Sequence, residues 1–202
     1  MIPMKTIKIL TFIVGIMFTI GCPSVPKTTW QITSQNKYVH TFSGMNFPRQ
    51  VEKFQRIAVK QYDKSGYDVS AGYNYGAAIA VTVYVYPAPI EVSVLPIPKI
   101  EAGPDWLINN HFNRVKKEIE TAHPKTEIIV EGKAQIEQNG ETKSGKYVIF
   151  RYESNNLTAF SETYLFTHKK WFIKYRITYP EKYQQQCAPT IKQFMKLLTW
   201  PD

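Results

Sequence analysis

A chain of 202 residues with 44% hydrophobic and 20% charged content can build one sizeable core and is too apolar for a disordered polymer. Its formal charge of +9, from 25 basic and 16 acidic residues, suits an anionic partner such as lipid, envelope polymer or nucleic acid. The aromatic share of 14%, with 13 Tyr and 11 Phe, favours strands, whose half-buried pleats accommodate those rings.

Lys5 and Lys8 precede an uncharged apolar run over 9–20, which ends at Gly21-Cys22. A basic end, a short apolar stretch and a small residue before a cut make a secretory signal. The run is shorter than the roughly 20 residues a bilayer-spanning helix needs. Thr19-Ile20-Gly21-Cys22 resembles the bacterial lipobox, with Thr19 standing where that motif usually has Leu. The resemblance implies a diacylglyceryl group on the Cys22 sulfur and cleavage after Gly21. Two other readings of Cys22 stay open: a thiol near the end of an ordinary signal, or a disulfide with Cys187. An anchored chain would divide into a signal over 1–21, a proline-containing tether over 22–29 and one domain over 30–202. That domain would face the periplasm or cell exterior, where nucleic acid is a poor candidate for a partner.

The domain opens with a strand expected over 36–42 and a second over 56–62, in which Ile57, Val59 and Gln61 alternate with Ala58, Lys60 and Tyr62. Asp63-Lys64-Ser65-Gly66 supplies a turn into a partner strand with Tyr67, Val69, Ala71 and Tyr73 on one face. Residues 78–86 form the clearest strand, placing Ile79, Val81, Val83 and Val85 opposite Thr82, Tyr84 and Tyr86, and the strand is central if both faces are covered. Four prolines put 87–99 at an edge or in a loop. A helix is capped at Gly103-Pro104-Asp105, carries Ile108, Phe112, Val115, Ile119 and Ala122 on one face, and ends at His123-Pro124. The remainder reads as a four-stranded meander over 126–138, 143–153, 157–168 and 170–179, with a turn at Asn139-Gly140. A last helix bears Ile191, Phe194, Met195 and Leu198.

This order predicts the α+β class: a mostly antiparallel sheet of about six to eight strands with helices packed on its faces. The segments FPRQVEKFQRIAVKQYD, AVTVYVYPAP, FIKYRITYP and FMKLLTWP resemble a family of uncharacterised exported bacterial lipoproteins. The resemblance implies a PsbP/Mog1-like α/β/α sandwich over nearly the whole mature chain. Its motifs concern structure, so it implies no activity.

Catalytic patterns are sparse. His40, His111, His123 and His168 show neither HxH nor HExxH spacing, so no metal site is expected. GxGxxG, GxxxxGK[ST] and G-x-S-x-G are absent, and no cofactor is expected. Cys187 is the remaining nucleophile candidate and would need a nearby base such as His111 or His168; the alternative is a small buried residue at a helix start. Asn156-Leu157-Thr158 has the form of a glycosylation sequon, which carries no meaning in a bacterium lacking that pathway.

The best binding candidate is HKKWFIKYR. On a strand it puts Lys170, Phe172, Lys174 and Arg176 on one face; Tyr84 and Tyr86, opposite the valine face of 78–86, belong to the same candidate binding face or else pack against a helix. Such a face could hold a small anionic ligand or lipid headgroups, or could be only the solvated side of a half-exposed strand. The expected function is a membrane-anchored envelope lipoprotein that binds a protein partner or small ligand without catalysis. The alternatives are a Cys187-dependent enzyme and a basic module docking on anionic membrane or polymer.

Overall fold

The computed structural model describes residues 29–32, 37–88, 104–154 and 157–201. The expected signal, Cys22, the tether except Thr29, most of the proline-rich stretch, the expected cap residue Gly103 and Asn155-Asn156 lie outside them. In chain order the strands are β1 (Trp30–Ile32), β2 (Tyr38–Val39), β3 (Asn46–Phe47), β4 (Gln50–Val51), β5 (Phe54–Gln61), β6 (Val69–Tyr75) and β7 (Ile79–Pro87). Helix α1 (Pro104–Ala122) leads to β8 (Glu127–Gln138), β9 (Glu141–Ser154), β10 (Leu157–His168) and β11 (Trp171–Pro180). A short 3-10 turn, Glu181–Tyr183, leads into α2 (Gln184–Leu197).

Two meanders share one antiparallel sheet. Strands β5, β6 and β7 form the first, and β8 to β11 form the second, which closes on the first where β11 pairs β7. The valine strand β7 is therefore central, as its two-sided apolar pattern requires. Among the described residues the sheet has nine strands because short β1 and β4 add to β5, beyond the six to eight expected. The seven long strands lie within that expectation.

Two short-range expectations are corrected. Residues 36–42 do not make one strand: Tyr38–Val39 pairs Asn46–Phe47 in a separate two-stranded sheet, and the intervening chain turns at Gly44, whose φ is +75°. Backbone there is readily adopted by glycine because no Cβ obstructs it. The alternation of 56–62 also fails at Ile57, where the β5–β6 register shifts between Arg56 and Ala58. The bulge inserts one residue and turns Ile57 out to 59% exposure, while Val59 stays buried.

Each sheet face has its own helix, giving an α/β/α sandwich. On one face Val81, Val83, Val85, Ile173, Tyr175 and Ile177 meet Cys187, Ile191, Phe194 and Leu198 of the α2 segment. The other face offers Val148, Phe150, Leu165 and Phe172 to Ile108, Phe112, Val115 and Ile119 of α1. Burying each large aromatic or aliphatic side chain contributes about 1.5–3 kcal/mol, and these two layers hold most of them. The expected apolar faces of both helices are thus the ones that pack, except that Ala122 is only half-buried.

Candidate functional site

Strand pairing decides which expected binding residues meet. Register sets Lys174 opposite Tyr84, Phe172 opposite Tyr86, and Arg176 opposite Thr82 on β7 and Thr163 on β10. All of these project to the α1 face. The Lys174 ammonium lies 4.4 Å from the centre of the Tyr84 ring and 5.6 Å from that of Tyr86, within cation–π range of both.

The expected face is not a solvated side of the sheet. Helix α1 covers it, and Phe172 is fully buried with its ring stacked 4.3 Å from His111. Lys170 leaves the group: it sits exposed in the Lys169-Lys170 turn, with its ammonium 5.8 Å from the Trp171 ring. What stays partly open is a small cleft of about 40 Å³, lined by Tyr84 and Thr163 from the sheet, Lys174 and Arg176 from β11, and Val115, Glu118 and Ile119 from α1. That volume suits a few atoms rather than an extended molecule.

Electrostatics of this face are positive. Arg114 donates to His111 Nδ1 at 2.8 Å, and an arginine has no lone pair to accept in return. His111 Nδ1 is therefore the acceptor, and the Nε2–H donates to the Tyr86 hydroxyl at 2.7 Å. Burial, then Arg114 and Lys174, push the imidazole down to about 4, so it is neutral at physiological pH. His123 is likewise held low by burial and by Arg176, which reaches toward its Nε2 at 3.4 Å. Burial raises the hydroxyls of Tyr84 and Tyr86, so neither ionises near neutrality. Glu118 is the one acidic residue lining the cleft, and it pairs with Arg114 at 3.7 Å. Asp68 is the further carboxylate whose charge reaches Tyr84 and Tyr86.

Thr163 carries the signal that sequence reasoning missed. Its side chain is fully buried, and its hydroxyl has no hydrogen-bond partner among the described residues. Ser161, two residues along the same face of β10, is also buried with an unpartnered hydroxyl. The period-2 pattern of LTAFSETYLFTH already sets both hydroxyls on the side of Leu165, but a strand read alone does not reveal that Arg176 lies beside them.

Cys187 sits elsewhere. It is a free thiol, 3% exposed, in the first turn of α2 on the opposite face of the sheet from His111. Burial and the nearby Glu162 push the thiol up, the reverse of what a nucleophile needs. His168 is also largely buried, against Trp200 with ring centres 5.7 Å apart. The expected thiol–histidine pair with His111 is therefore not assembled, because the sheet separates the two. No cluster of three or more metal-ligating side chains occurs among the described residues. No helix among them is long and apolar enough to cross a membrane.

No protein-family model matches the chain, and no curated protein matches it. Among solved structures it is similar to the cyanobacterial PsbP of Synechocystis, at 12% identity and a TM-score of 0.49, over 86% of this chain and 94% of that one. It is similar to a protein of unknown function from Pseudomonas aeruginosa at 10% identity and a TM-score of 0.43, over 83% and 97% of the two chains. A third similar structure is the Ran-binding protein Mog1p of Saccharomyces cerevisiae, at 10% identity and a TM-score of 0.36, over 82% and 93%. Both fold types named by the sequence resemblance are thus among its neighbours, and the α+β sandwich itself rests on the strand order and the two helix layers described above.

Proposed function

We propose that the protein is a non-enzymatic binding module, held at a bacterial membrane through lipidated Cys22, with its domain facing the periplasm or cell exterior. Its ligand, a small molecule or a side chain of a protein partner, enters the cleft between α1 and the sheet. The observation that carries this reading is the convergence of Lys174, Arg176 and Tyr84 in one cleft, while the lone described thiol is enclosed on the other face. A binding site needs a concave surface with a few placed polar groups, and this cleft supplies both.

The anchor rests on the sequence: a charged start, a short apolar run, and Gly21-Cys22 with Pro23 and Pro26 next in a short tether. Acylation with two or more chains holds a protein at a membrane without any spanning helix. Metabolic labelling with a fatty-acid analogue tests it. Wild type is expected to take up label and Cys22→Ala to take up none; equal labelling of the two contradicts the anchor.

A further inference from the structure

The geometry points to a small oxyanion as the ligand class of the α1 cleft, held by the Thr163 hydroxyl together with Lys174 and Arg176; this rests on the binding-module reading above and sharpens it. Three observations converge. Thr163 is fully buried and its hydroxyl is unpartnered among the described residues, yet it lines the cleft. A buried hydroxyl without a partner costs about 1–3 kcal/mol, so a group that accepts from it is favoured. Two cations flank it: Arg176 is its direct cross-strand partner, and Lys174 lies two residues along on the same face.

Like charges at that spacing repel, and neither is far enough into solvent to be fully screened, as both are only half-exposed. An oxyanion relieves the repulsion and accepts from all three donors at once, with charge-assisted hydrogen bonds roughly twice as strong as neutral ones. Two carboxylates lie near: Glu118 lines the same cleft and pairs with Arg114, and the charge of Asp68 reaches Tyr84. Burial first, and then Arg114 and Lys174, hold the His111 imidazole low, in keeping with a positive potential on this face. The cleft is small, which suits phosphate, sulfate or the terminal phosphate or carboxylate of a larger ligand, and not a buried ring.

Calorimetric titration of the full-length protein in neutral detergent with inorganic phosphate, at constant ionic strength, tests the assignment. Phosphate is expected to bind wild type. Thr163→Val and Arg176→Gln are expected to weaken it by about tenfold or more, the loss of one hydrogen bond to a charged group, and Lys170→Gln to leave it unchanged. Thr163→Val should not lower the thermal midpoint in anion-free buffer, since it removes an unpaired hydroxyl, so weaker binding by that variant is not a folding defect. Equal phosphate affinity in wild type and a Thr163→Val/Arg176→Gln double variant means adventitious binding to a basic surface and overturns the inference. A parallel titration with acetamide, a neutral probe of a few atoms, separates the oxyanion from the binding module. Acetamide binding that Lys174→Met abolishes, with no phosphate binding, overturns the oxyanion and leaves the binding module standing; no binding of either probe overturns both.

Discussion

At the scale of single residues, His111 shows how the basic face constrains protonation. Its Nδ1 accepts from Arg114 and its Nε2–H donates to Tyr86, so the folded protein holds the neutral ring and its value falls to about 4 from an ordinary 6.5. The unfolded chain then binds the extra proton first as pH drops. Stability contributed here is whole above about 6.5 and is lost as pH falls toward 4, at up to about 1.4 kcal/mol per pH unit for one proton. Urea unfolding of wild type and His111→Gln between those limits should show the smaller acid loss in the variant; parallel curves would contradict the neutral-ring assignment. Gly145 makes a second residue-scale case, because a Cβ there would overlap the Leu165 carbonyl oxygen and the Phe166 ring. Gly145→Ala is expected to cost about 1–3 kcal/mol, as overpacking does, and an unchanged denaturation midpoint would show that β9 and β10 can separate to admit it.

Elements explain why part of the molecule was legible and part was not. Long strands with strict alternation declare themselves: the valines of β7 and the whole β8–β11 meander are set by period 2 and Asn139-Gly140, whose residues both take positive φ. Local exceptions hide within the same alphabet. The bulge at Ile57 and the Gly44 turn break patterns that composition alone would continue. The face of β11 carrying Lys174 and Arg176 reads as solvated because which face receives α1 depends on connectivity, not on the strand's own residues. For the same reason β10 alone does not mark Thr163 as a site residue; its pairing with Arg176 of β11 does. Helix α2 was legible from its stripe, whereas the docking of the C-terminal segment beyond it was not. Gln138 holds that segment by donating to the Met195 carbonyl at 3.0 Å and accepting from the Trp200 amide at 3.1 Å, while Trp200 Nε1 donates to Tyr175 at 2.7 Å. Phe194, fully buried with its ring centre 4.5 Å from that of Phe54 and 5.2 Å from that of Tyr73, anchors the helix body. Phe194→Ala should cost about 3–5 kcal/mol in urea unfolding, and a loss well under 1 kcal/mol would mean α2 is not needed to seal the sheet.

Across the whole molecule, two helices divide the labour. The α2 layer closes over a thiol, a buried carboxylate and a continuous aromatic core, and Glu162 there is satisfied by the hydroxyls of Tyr164 and Tyr179. The α1 layer covers a mixed face whose cations and unpaired threonine hydroxyl remain beside a cleft. A chain of net charge +9 adds a long-range field that draws anions toward such a site, so binding there should weaken as salt rises. A crystal structure of the protein grown with selenate, whose anomalous scattering locates the ion directly, is the shortest test of the oxyanion site. It should place selenium between Lys174, Arg176 and the Thr163 hydroxyl; a cleft free of anomalous density, with Thr163 satisfied by another protein group, would contradict it.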